Sequence, residues 1–342
     1  MANIKPFRAV RPRAVYAATI AALPYDVYNR EEARKEVEKN PMSFLKIDRP
    51  ETQFPKEQDM YAPEVYQQAA KTLWGMLDQG NFCEEQKACY YIYEIGTKEH
   101  KQTGVVACAS IDDYFNQVIK RHENTKPEKE ADRIRHVRVC QAQTGPIFLA
   151  HRPQPELRRI LDIKKRSHPV YNFCSEDGIS HKVWVIEEQI TIDKITSLFQ
   201  NMDSIYIADG HHRAASAVKA GLEKRKEHPN YDGTEEFNYF LCALFASDEL
   251  RIMDYNRVVK DLNGYSKEEF LKKVGERFLV EEKGTEPVQP EKKGVFGMYL
   301  DTTWYRLEIK ENYISQDAVD GLDVSLLQTH LLAPVLGIEK PG

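Results

Sequence analysis

In "SIYIADGHHRAASAVKAGL" (residues 204–222) the apolar pattern changes period across an acid, a glycine, two histidines and an arginine. "SIYIA" is strand-like. Beyond the motif, Ala214, Ala217, Val218, Gly221 and Leu222 fall at i, i+3, i+4, i+7 and i+8, one face of a helix. The stretch is therefore predicted to be a strand running into a helix, with residues 209–213 on the turn. At such a turn the first backbone N–H groups of the helix have no internal partner. Gly210 permits a positive φ or close approach of a ligand to the backbone. His211, His212 and Arg213 add side-chain donors to a terminus whose dipole already favours anions. A phosphate there would meet amides, imidazoles and a guanidinium fork. Asp209 at the strand end is suited to hold Mg²⁺ or to take a proton. Two other readings stay open. Asp209 as a plain N-cap explains the acid and the glycine, but not two histidines with an arginine. A metal bound by Asp209, His211 and His212 has to overcome the angle of about 100° between adjacent helical side chains.

The surrounding sequence alternates short β-like runs with capped helices, the pattern of a mixed α/β fold. "APEVYQQAAKTLWGMLDQG" is an amphipathic helix, with Pro63 in its first turn and Gly80 at its end. Residues 88–96 and 103–111 are β-rich and separated by a polar stretch, so they are predicted to form a hairpin. Thr125 and Glu128 make a capping box for a helix expected to run to about Gln143. "GPIFLAH", "HKVWVIEE" and "NYFLCALFAS" read as strands, the last buried on both faces. "QPELRRILDIKKR" and "ITIDKITSLFQNM" read as helices. Ser266 and Glu269 form a second capping box, and residues 280–294 read as a charged surface loop or hinge before the strand pair "VFGMYL" and "TWYRLEI".

Length and composition bound the function. A chain of 342 residues calls for one large or two closely packed domains. With 48 Lys and Arg against 53 Asp and Glu the net charge is −5, so no nucleic-acid partner is expected. No apolar run approaches the ~18 residues of a membrane span, and the N-terminus lacks the pattern of a secretory signal. The six cysteines contain no C-x-x-C pair and read as reduced thiols of a cytoplasmic protein.

A second polar cluster is "KRHENTKPEKEADR". Lys126, Lys129, Arg133 and His136 fall on one helical stripe. That stripe is either a solvated face with pairs such as Lys126–Glu130 and Asp132–His136, or a surface from which Arg133 reaches a phosphate. His122 and Glu123 sit where the strand-like "FNQVIK" ends, and Glu123 there is suited to ligate Mg²⁺ or accept a proton. Asp26 of "PYDV" is a further candidate acid, set ahead of a helix opening at Asn29; as a turn residue it needs no chemistry. "DYNRVVKDL" adds Asn256 and Arg257, and Arg257 also reads as a core-edge salt bridge.

"ADGHHR" after an apolar strand resembles the phosphate-binding signature of the ParB/sulfiredoxin superfamily, and its form is similar to the "DGHHR" of archaeal-type free-serine kinases. Together with "PFRAVRP", "PYDV", "KRHENTKPEKEADRIRH", "QTGPIFLA" and "DYNRVVKDLNG", it resembles the family called domain of unknown function 1015, from Pro6 to about Arg306. The resemblance implies an α/β (α+β) fold: a mixed sheet with a ParB/sulfiredoxin-like nucleotide-binding core and added helices. That core is expected over residues 1–279, with a C-terminal strand pair and helix over 280–342 packed on it. The family likeness implies a further C-terminal segment with a "PPKSTWFEP"-like motif, so the chain is expected to be truncated. It also assigns Asp209, Gly210, His211, His212 and Arg213 to nucleotide phosphates, while the glutamate that serves as base in the serine kinases has no counterpart identifiable by spacing. Glu123–Asn124 is faintly similar to the glutamate–asparagine box of ParB proteins, in reversed chain order.

The expected activity is Mg²⁺-dependent phosphoryl transfer from ADP or ATP, with CTP a further candidate, to a small hydroxylated metabolite such as serine. Asp209, Glu123, His122 and Asp26 are the candidate catalytic groups. Gly210, His211, His212, Arg213 and Arg133 are the phosphate ligands, and Asp209 and Glu123 the metal ligands. The alternatives are a ParB-like nucleotide-gated switch without metabolite turnover, and a metal-dependent hydrolase. The apolar terminal helix "VSLLQTHLLAPVLG" is available to pack on a second copy of the chain.

Overall fold

Alternating period-two runs and amphipathic helices produce a mixed α/β fold, as the patterning implies. The computed structural model describes residues 1–123, 125 and 127–339. Its contacts divide the chain into two units, Met1–Ile252 and Met253–Gly342. The boundary expected after residue 279 falls inside the strand Phe278–Gly284. That strand pairs with Thr303–Ile309 and packs against the helix Lys267–Arg277, which draws both into the second unit.

Among the described residues the first unit carries a nine-stranded sheet. From one edge the order is Ile119–Lys120, Ile205–Asp209, Ile147–His151, Tyr239–Ala246, Lys101–Ser110, Tyr90–Gly96, Ser180–Ile186 and Tyr171–Cys174. Ile4–Lys5 pairs with the far end of Lys101–Ser110. Two pairs are parallel: Ile119–Lys120 with Ile205–Asp209, and Ile147–His151 with Tyr239–Ala246. The predicted hairpin is present, with Tyr91 opposite Val106. Tyr239–Ala246 lies between two strands, and Phe240, Cys242 and residues 243–246 are all buried. Phe240 and Leu244 join Tyr90, Ile92, Phe199 and Val218 in the main core. Each such side chain removed from water contributes about 1.5–3 kcal/mol before entropy is counted.

Two helices follow the two strands of the parallel pair at the Ile119–Lys120 edge of the sheet. Pro127–Cys140 comes after Ile119–Lys120, and His211–Glu227 comes directly after Ile205–Asp209. They pack side by side and run the same way. Near their starts the Ser216 hydroxyl donates to the Glu130 carbonyl at 3.1 Å, and near their ends Arg138 pairs with Glu223 at 3.0 Å. The Pro127 helix stops at Cys140, short of the expected Gln143, because Gln141 takes a left-handed φ of 51°. Gln143 is spent on the sheet instead: its amide donates to the Tyr239 carbonyl and accepts from the Leu241 N–H. Pro63–Asp78 packs on this helix, and Leu73, Met76, Phe82 and Cys140 form a smaller core beside it.

The second unit is a three-stranded antiparallel sheet, ordered Phe278–Gly284, Thr303–Ile309, Val295–Leu300. Lys267–Arg277 and the helical segments Asp323–Leu327 and Gln328–Leu332 supply the rest of its own core, which includes Phe270, Val274, Tyr305 and Leu331. Residues 280–284 are strand, so only the later part of the expected surface loop lacks regular structure. The Ser266–Glu269 capping box is formed reciprocally, as predicted. All six cysteines are free thiols. Among the described residues no helix is long and apolar enough to cross a membrane.

Candidate functional site

The turn at 209–211 is built as the sequence implies, with one change of role. Gly210, at φ 88° and ψ 34°, is the residue before the helix, and no side chain caps the terminus. Asp209 is therefore not an N-cap. Its Oδ2 accepts from Arg213 Nη2 at 2.7 Å, while Arg213 Nη1 donates to the Pro146 carbonyl at 2.9 Å. The guanidinium is thus held in one orientation, with other N–H groups to spare among its five. A Cβ on residue 210 would sit 3.1 Å from Arg213 Nε and 3.3 Å from Cζ. Glycine is required here twice, by backbone hand and by the arginine lying across it.

Of the two histidines, His211 is enclosed and His212 is half-buried. His211 is 5% exposed, its ring lies edge-on to His122 at 4.5 Å, and its Nδ1 is 3.5 Å from Glu123 Oε2. Its Nε2 is buried without a hydrogen-bond partner, as is His212 Nδ1. Burial and the neighbouring His122 push the His211 pKa below its ordinary value, with Glu123 and Asp209 opposing. The imidazole is therefore neutral at pH 7, and it contributes polarity to the site rather than positive charge. His212 lies in the field of Glu130. Burial would raise the Glu130 carboxyl, but Lys219, Thr125 and His212 hold it below the usual range.

The predicted cationic stripe is divided between solvent and core. Lys129 is exposed, whereas His136 is buried with its Nε2 2.8 Å from the Ile47 carbonyl, and Lys126 lies outside the described residues. Arg133 is committed to Asp132 at 2.8 Å and covered by the Tyr25 ring at 4.4 Å, leaving its side chain 11% exposed. The helix turns this face toward the sheet and the Pro63 helix, so spacing alone misassigns it to solvent. The suggested Asp132–His136 pair is not formed, Asp132 joining Arg133 and the Tyr66 hydroxyl. The Lys126–Glu130 pair lies outside the described residues, and Glu130 meets Lys219. Thr125 donates to Glu130, not Glu128. Asn124 of the faint glutamate–asparagine likeness lies outside the described residues.

Asp26 is exposed on a short 3-10 turn, Tyr25–Val27. The buried Arg49–Glu51 pair fixes this turn, Arg49 Nη1 donating to the carbonyls of Tyr25 and Tyr28. Burial raises the Tyr25 pKa, and both Arg133 and Arg213 oppose the shift. Tyr25, rather than Asp26 itself, is what the turn places in the field of the two arginines. Asp48, held by the Thr144 hydroxyl at 2.6 Å, adds a carboxylate to the same region. Sequence reasoning assigned no role to Tyr25, Asp48, Tyr66, Thr144 or the Pro146 carbonyl. The strings "PYDV" and "QTGPIFLA" hold three of them, but which atoms they offer depends on tertiary packing.

The resulting arrangement is a surface where two long helices start side by side. Their dipoles add positive potential at one place, and the uncapped amides of residues 211–213 face it. Arg213 supplies the fixed cation. Asp209 and Glu123, with side chains 65% and 60% exposed, supply accessible carboxylates. Among the described residues no group of three His, Cys, Asp or Glu side chains converges as a metal site. A family model described as protein of unknown function (DUF1015) matches residues 4–325. No curated relative and no solved structure shows significant similarity to the chain.

Proposed function

This chain belongs to the DUF1015 family, and we propose that it binds the phosphates of a nucleotide at the start of the His211–Glu227 helix and transfers a phosphoryl group to a small hydroxylated metabolite. The observation that carries this reading is the oriented guanidinium of Arg213, locked by Asp209 and Pro146 beside uncapped helix amides. Preorganised donors of this kind are what phosphoryl transfer demands of a protein. The strand-to-helix turn "ADGHHR" is the basis for reading the core as ParB/sulfiredoxin-like, and for serine as the first acceptor to try.

In the proposed reaction the acceptor oxygen bonds to the terminal phosphorus, the bridging P–O bond breaks, and the hydroxyl proton passes to a carboxylate. Glu123 fits the proton acceptor, being exposed and adjacent to the neutral His211. Mg²⁺ takes one or two carboxylates together with phosphate oxygens. Asp209 fits that role while Glu123 serves as proton acceptor, and Glu123 would be a second ligand only where another group takes the proton. Bound there, the ion would neutralise charge on the phosphates. Asp209 would share its carboxylate between the ion and Arg213, so its second oxygen is the available one. His211 is buried and His212 half-buried, so on this reading the Arg213 guanidinium and the helix amides make the first contacts with phosphate and the two imidazoles are the adjoining donors.

Calorimetric titration with ADP, ATP, CTP and GTP plus Mg²⁺, beside Arg213→Ala, tests the reading. Expected is binding of one nucleotide that weakens at least about tenfold in the variant, a loss of about 1.4 kcal/mol. No binding at millimolar nucleotide, or equal binding by the variant, would exclude a phosphate site at this turn. Nucleotide binding without phosphorylated product across a panel of hydroxylated acceptors would favour the gated-switch alternative.

A further inference from the structure

The first unit contains a second concavity that the phosphate reading does not use. It is a cleft of about 600 Å³ running along the same helix as Arg213, beginning at Ala217, and Arg213 does not line it. Its volume falls within the range of small-molecule sites. Ala217 and Ala220 provide a shallow floor on the helix, and Phe7, Phe44, Trp74 and Phe82 provide aromatic walls. The Trp74 indole N–H donates to the Cys140 carbonyl at 3.0 Å, which fixes the ring and leaves it no free polar edge.

Charge decides what such a cleft can take. Arg8, Arg11, Arg138 and Lys224 line it, and each is already paired, with Glu84, Glu85, Glu223 and Glu227 respectively. The lining Glu236 is paired with Lys5. Both ends of the Gln143 amide are spent on strand backbone, and the Thr144 hydroxyl is spent on Asp48. A charged ligand would compete with these existing pairs for the same side chains. An uncharged apolar ligand gains aromatic and aliphatic contact at no such cost.

We propose that this cleft is a binding site for a small, uncharged, predominantly apolar molecule, separate from the phosphate turn. The full chain is titrated with N-phenyl-1-naphthylamine, a neutral probe whose emission rises in apolar surroundings, with excitation of tryptophan to read transfer from Trp74. Saturable one-to-one binding is expected, with transfer reduced in Trp74→Phe. Ala217→Leu fills the floor and Val137→Trp obstructs the wall from a half-buried position. Each should weaken the probe at least about tenfold while the melting temperature is held. Val137→Trp keeps the test open if the floor variant does not fold. Dodecanol should displace the probe at least about tenfold more effectively than dodecanoate. No saturable binding, unchanged affinity in a folded cleft-filling variant, or equal displacement by the charged and uncharged chains would each overturn the proposal.

Discussion

At the scale of single residues, the chemistry of the candidate site depends on enclosure as much as on identity. His211 and His212 look like donors in the sequence, yet both rings have a nitrogen buried without a partner. Arg133 looks like a free cation and is instead sandwiched between Asp132 and Tyr25. Buried histidines have a consequence that can be measured. Burial lowers the pKa of His136, which sits beside Arg133, and burial likewise lowers that of His151 and His211. In acid the unfolded chain binds protons that these folded rings refuse. Their contribution is therefore complete above the unfolded value of about 6.5 and is lost as the pH falls below it. Thermal melts between about pH 7 and pH 5 should show falling stability, with a shallower slope in His136→Gln. Equal slopes for the parent and that variant would remove His136 from the account.

At the scale of elements, local signals worked where the chain satisfies its own backbone. Ser266 accepts from the Glu269 N–H at 3.2 Å, and Glu269 accepts from the Ser266 N–H at 2.9 Å. Ser266→Ala is expected to cost about 1 kcal/mol, read as a lower denaturation midpoint with unchanged m-value. A change in m-value instead would mean that the cap shapes more than its helix. Asn29 and Glu32 close a second reciprocal box, so the expected opening of that helix at Asn29 holds. The Pro127 helix shows where local signals fall short. Its stripe was legible as helical, but the Pro63 helix and the sheet decide which side is wet. Gln143 was legible only as a continuation of the helix, whereas two strand backbone groups claim its amide.

At the scale of the whole molecule, the chain is two units with separate hydrophobic clusters, joined by a stretch without regular structure from Arg251 to Val259. Ile252 and Val258 there are 98% and 99% exposed. Exposed backbone of this kind is where proteases cut first. Brief trypsin treatment should cleave at Arg251, Arg257 or Lys260 and leave two resistant fragments, identified by mass. First cleavage inside either unit would contradict this division. The sequence pointed to a later boundary because the Pro- and Gly-rich tract after residue 284 is the stronger compositional signal. Composition registers polarity, but it does not register that the helix before Phe278 packs on that strand's sheet.

The sequence by itself determined the strand–turn–helix carrying "ADGHHR", the 90–110 hairpin, the buried Tyr239–Ala246 strand and the Ser266 cap. Each follows from spacing or from hydrogen bonds made within a few residues. Only the tertiary structure decided that two helices start together, that Pro146 grips Arg213, and that Tyr25 covers Arg133. It also decided that Phe7, Trp74 and Ala217 face one another across a cleft. Those partners lie tens to hundreds of residues apart, and periodicity carries no information about which distant face will meet another. Packing selects among such faces, so the character of the site emerges only once the sheet has assembled.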